Sequence, residues 1–198
     1  MIRSRVRLAC RGRAARTPPG TRRALQARLG RALVAAGLRG VELSVVLSDD
    51  DELRALNRAY AGDDHATDVL SFAQRDAPAP VVGKEALGDV IISVEHAARQ
   101  AAAAHRHVSA ELFHLAVHGL AHLLGYDHRD AVEERAMFGY EARLRSAALA
   151  DGPPRRVSAP RTGRARSSPA APGARPRPAS RGTGARPRPS LRRPRSRR

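Results

Sequence analysis

The segment HGLAHLLGYDH, residues 118–128, restricts the fold more than any other part of the chain. His118 and His122 are four residues apart in an apolar run. On a helix they project from one face, about one turn from each other. His128 can join them only if the helix stops and the chain reverses. Gly125 stands where that stop is needed, and glycine is the usual residue for leaving a helix in a left-handed conformation. Imidazole is the commonest metal ligand near neutral pH, and three of them leave a zinc ion one open coordination position for water. The segment therefore predicts a helix, a tight reversal and a three-histidine site of catalytic type, with one zinc per chain. Nickel and copper suit imidazole as well.

The spacing matches that of the metzincin proteases, including the glycine between the second and third histidines. Those enzymes carry a Glu directly after the first His, as general base for the attacking water. Here that position is Gly119. A zinc peptidase would have its metal cradle without its base. One histidine alone would read as an ordinary core or surface residue; three at this spacing read as a metal site.

The net charge of +17 belongs to the ends of the chain. Residues 151–198 hold 15 Arg, ten of the 14 prolines and a single acid, Asp151, while residues 17–150 carry a net charge of −3. Such a tail buries too little apolar area to offset the entropy of ordering, so disorder is expected over 151–198 and one folded domain over 1–150. The tail suits non-specific binding to RNA phosphates, with a merely solvated extension as the equal alternative. Cys10 is the lone cysteine, so no intramolecular disulfide is possible, and a reducing, cytoplasmic setting is expected. No apolar stretch approaches the ~20 residues that cross a bilayer, so no membrane partner is expected. The Arg-rich start superficially suits a transit peptide, but the alternation in SRVRLAC reads better as an edge strand with Val6 and Leu8 inward.

After Pro18, Pro19 and Gly20, Thr21 is a candidate cap for a helix to about residue 38, with Leu25, Leu29 and Leu33 on one face. VELSVVL alternates as a strand, and Ser48–Asp51 gives the start of a short helix running to about Tyr60, with acids suited to the positive end of its dipole. DVLSFA reads as a second central strand, residues 74–83 as a proline-containing loop, and ALGDVIIS as another strand. Helices follow at about 94–105, 109–124 and 131–148. Strand, helix, strands and then helices predict an α+β fold, a small mixed sheet of about four strands covered by helices.

TDVLSF, LGDVIIS, HLAVHGLAHLLGYDH and the acidic stretch containing Met137 and Glu141 together resemble the YbeY family. The resemblance covers about residues 41–144. It implies a zinc-dependent endoribonuclease that cuts single-stranded RNA, matures the 3′ end of 16S ribosomal RNA and serves quality control of the small ribosomal subunit. It implies His118, His122 and His128 as the zinc ligands. Family members usually carry an Arg, associated with phosphate binding or catalysis, where this chain has Ala61. Arg58 lies three residues earlier, can share its helical face, and is a candidate substitute. Asp127, beside a ligand, is a candidate base or a partner for an imidazole N–H. Beyond water activated by zinc, no other catalytic group is assigned. A non-catalytic, zinc-containing ribosome-assembly factor is the alternative that Ala61 keeps open; a zinc peptidase is a weaker one.

Overall fold

The computed structural model describes residues 4–74, 85–150 and Arg156. The expected disorder of 151–198 and most of the 74–83 loop lie outside the described residues. The elements run β1 (Arg5–Cys10), a 3-10 turn (Gly12–Arg16), α1 (Pro19–Ala35), β2 (Val41–Ser48), α2 (Asp50–Tyr60), β3 (Val69–Ala73), β4 (Glu85–Ser93), α3 (Val94–Ala103), α4 (Val108–Leu123) and α5 (Ala131–Leu149). The α+β class and the four-stranded mixed sheet are as expected.

The strand order is β1-β2-β4-β3. β1 and β4 both pair parallel to β2, and β3 pairs antiparallel to β4, with Val69 opposite Ile92 and Ser71 opposite Val90. β1 is the expected edge strand. DVLSFA is not central: β3 forms the other edge. Its five residues alternate in the way a central strand also could, and period-two patterning carries no information about the number of neighbours. Its core residues are only half-buried, because the sheet ends there.

Alternation on the strands builds two unequal layers. Leu43, Val45, Leu47, Val90 and Ile92 point to one face and join Leu29, Leu33, Leu112, Leu115, Ala116 and Leu120 in the main core. Val46 and Ile91 point to the other face, where Leu53 of α2 packs on them, bordered by Leu56, Leu70 and Phe72. α4 lies at the centre of the main layer, touching β3 and β4 as well as α1, α3 and α5. α2 covers the opposite face, touching β3, β4 and α3.

Caps set the helix limits. Asp49 and Asp130 accept backbone N–H bonds at the starts of α2 and α5, and Ser93 does so for α3. α1 begins at Pro19 rather than at a Thr21 cap; a proline in the first turn needs no N–H partner and its φ is already helical. α4 starts after His107 with no side-chain cap.

Candidate metal centre

α4 ends in a Schellman turn. The N–H of Gly125 donates to the His122 carbonyl at 2.9 Å and that of Tyr126 to the Ala121 carbonyl at 3.1 Å. Gly125 takes φ +86°, the left-handed value that the reversal requires. The turn sends Tyr126 inward, where its ring stacks on Tyr140 of α5 with centroids 4.7 Å apart. Burial pushes the Tyr140 hydroxyl up to about 12 and raises Tyr126 as well. With Tyr126 anchored, the chain returns His128 to the end of α4.

One ligand-capable nitrogen from each of His118, His122 and His128 lies within 4.8 Å of the others. His118 Nε2 and His122 Nε2 are 3.2 Å apart. Two nitrogens on a tetrahedral zinc, each at 2.0–2.1 Å, would stand about 3.3 Å from each other, so the spacing fits such an ion. Burial, followed by the neighbouring His118 and His128, pushes His122 below its ordinary value, which favours the neutral, coordinating imidazole.

Sequence reasoning gave Glu141 no role of its own. Its Oε1 is 2.8 Å from His118 Nδ1, and the residue is 1% exposed. A carboxylate there accepts Nδ1–H and leaves the Nε2 lone pair for a metal, the usual arrangement behind a metal-bound histidine. Arg145 lies 3.5 Å from the other carboxylate oxygen and also contacts His114. The available signal was an acid within the apolar stripe Met137, Tyr140, Leu144 of α5.

Asp127 is engaged within its own loop. Its Oδ1 accepts the His128 backbone N–H at 2.9 Å, and its Oδ2 is 2.5 Å from Arg129. Burial raises its carboxyl, but the His128 N–H and Arg129 outweigh this and hold it below the ordinary value. Arg58 is exposed on α2, on the far face of the sheet from α4. His65 pairs with Asp63 at 3.1 Å in an exposed loop. His114 lines a separate groove of about 420 Å³ with Asp68, Gln100, Arg106 and Glu111.

Gly119 explains the missing protease base. A Cβ at this position would come within 2.5 Å of Val90 Cγ1 and 2.9 Å of Ser71 Oγ. The residue after His118 is pressed against the sheet, so a Glu there would have no room without a shift of Val90 and Ser71.

Fold and site together define an α+β protein with a three-imidazole centre able to hold a metal ion. The family model described as Endoribonuclease YbeY matches residues 19–148. The chain belongs to the YbeY family. It is similar to the Endoribonuclease YbeY of Anaeromyxobacter sp. (strain Fw109-5), 42% identical over 151 residues that cover 73% of this chain and 77% of the relative. It is similar also to that of Anaeromyxobacter dehalogenans (strain 2CP-C), 45% identical over 129 residues, 64% of this chain and 65% of the relative. The fold is like the solution structure of TM1509 from Thermotoga maritima, with a TM-score of 0.52 and 22% identity over 72% of this chain and 88% of that one. Among the described residues, no helix is long and apolar enough to cross a membrane.

Proposed function

We propose that this chain is a zinc-dependent endoribonuclease of the cytoplasm, with His118, His122 and His128 as ligands. Its proposed substrate is single-stranded ribosomal RNA at the 3′ end of the small-subunit molecule. The convergence of three imidazole nitrogens on one point carries the reading, and the similarity to endoribonucleases supplies the substrate class. Zinc held there supplies Lewis-acid chemistry, polarising a phosphoryl oxygen and easing the deprotonation of water. The chain's own groups prepare the site. Glu141 fixes the His118 tautomer, Asp127 holds the His128 backbone, and Gly119 lets α4 lie close on the sheet. Arg58 is the proposed cation for substrate phosphate in place of an arginine at position 61, and residues 151–198 add non-specific attraction to RNA. The peptidase alternative is disfavoured by the packing around Gly119.

The test is cleavage of a labelled single-stranded RNA carrying that 3′ end. The full chain is compared with a His118→Ala/His122→Ala variant, with and without chelator, after folding and bound metal are measured. Cutting that vanishes with the histidines and with the metal is the expected result. One metal bound per chain with no cutting would favour a non-catalytic assembly factor instead.

A further inference from the structure

The chain has three Phe, three Tyr and no Trp. Phe113 and Tyr140 are buried, Tyr126 stacks on Tyr140, and Phe138 is a lone exposed ring on α5 with no aromatic partner among the described residues. Tyr60 and Phe72 behave differently. Tyr60 is the last residue of α2 and is 60% exposed. Its ring meets that of Phe72 on β3 edge to face, with centroids 5.0 Å apart and planes at 67°. Phe72 is partly buried at the margin of the small cluster under α2, so the pair rests on that cluster with Tyr60 as its exposed member.

The pair's position relative to the histidines follows from the edge strand. Consecutive residues of a strand point to opposite faces. Ser71 donates to the carbonyl of Gly119, the residue after His118, at 3.3 Å. Phe72, the next residue, points to the α2 face. The aromatic pair and the histidine helix therefore flank β3, whose outer edge pairs with no strand among the described residues. Arg58, two residues before Tyr60, is exposed, and its charge is felt by Asp64, which pairs with Arg54.

We propose that Tyr60 and Phe72 form a stacking platform for one unpaired base of an RNA whose phosphodiester lies at the three histidines. This rests on the endoribonuclease reading above. An exposed aromatic face beside a cation is the common means of holding single-stranded nucleic acid, because every base has a flat face and every nucleotide a phosphate. A strand that reaches both faces must bend around the β3 edge with one base turned out. Single-stranded RNA does this readily, whereas a duplex keeps its bases paired and stacked. The platform is thus a physical source of preference for unpaired RNA, separate from the metal.

The test uses full-length protein in chelator, so that binding is read without cutting. A single-stranded RNA carries 2-aminopurine at successive positions, and quenching of its fluorescence reports stacking on an aromatic ring. One position is expected to be quenched by the natural protein, to lose the quench with Tyr60→Ala and to keep it with Tyr60→Phe. Affinity for single-stranded RNA should fall about tenfold with Tyr60→Ala, while binding to a duplex of the same length stays unchanged. The platform is overturned if no position is quenched, if Tyr60→Phe loses as much as Tyr60→Ala, or if duplex binding falls equally. Metal-loaded cleavage separates the two ideas. Cutting that is indifferent to Tyr60→Ala leaves the nuclease and removes the platform; an intact quench pattern with no cutting leaves the platform and removes the nuclease.

Discussion

Glu141 is the buried carboxylate that meets the histidine centre, through His118. Its oxygen is shaped to accept from His118, and an amide in its place would lose the charge and half of the acceptor capacity. Glu141→Gln should weaken zinc binding about 10- to 100-fold, measured by competition with a chromophoric chelator, while secondary structure by circular dichroism is retained. Gly119 makes a steric prediction. Gly119→Ala would force its methyl against Val90 and should cost about 1–3 kcal/mol in urea unfolding, despite the better helix propensity of alanine. The three histidines were legible because helical period and glycine chemistry place them without knowledge of the fold. Glu141 was not, because it acts from a second helix, 23 residues away. Only its intrusion into an apolar stripe hinted at it.

Helices and strands were readable from period and caps, and their limits shifted where two signals competed, as at Pro19 and Thr21. The edge position of β3 was not readable, since it depends on what pairs beside it. The caps themselves give a pH prediction. Asp49 accepts from Glu52 and Arg13 N–H groups and Asp130 from Glu133 and Val132, and these bonds hold both carboxyls below their ordinary value of 3.8. The stabilisation is complete above that value and is lost as pH falls through the lower values of the folded state. Unfolding followed from pH 6 to pH 2 should show the natural protein losing more stability than Asp49→Ala. At neutral pH that substitution should cost about 1 kcal/mol.

Charge divides along the sequence at about residue 150: residues 17–150 sum to −3, and residues 151–198 hold 15 Arg against one acid. What composition could not show is how the two faces of the sheet divide the work. The main core and the histidines lie on one side, and a thinner layer under α2 lies on the other. An ion bound only by the folded chain stabilises it by mass action. Zinc at 100 times its dissociation constant should add about 2.7 kcal/mol at 25 °C, seen as a rise in the thermal midpoint that a chelator reverses.

The Schellman turn after α4 keeps the histidine centre local in sequence. All three imidazoles and the carboxylate behind His118 come from residues 118–141, two helices and the reversal between them. Contacts so near in sequence close short loops, and loop closure is what slows the approach to a folding transition state. Short-loop closure predicts that the α4–α5 hairpin forms early, and an ion that joins it then would act before the sheet has assembled. Zinc present from the start of refolding should raise the folding rate itself in stopped-flow experiments; an effect confined to the unfolding rate would place the hairpin late.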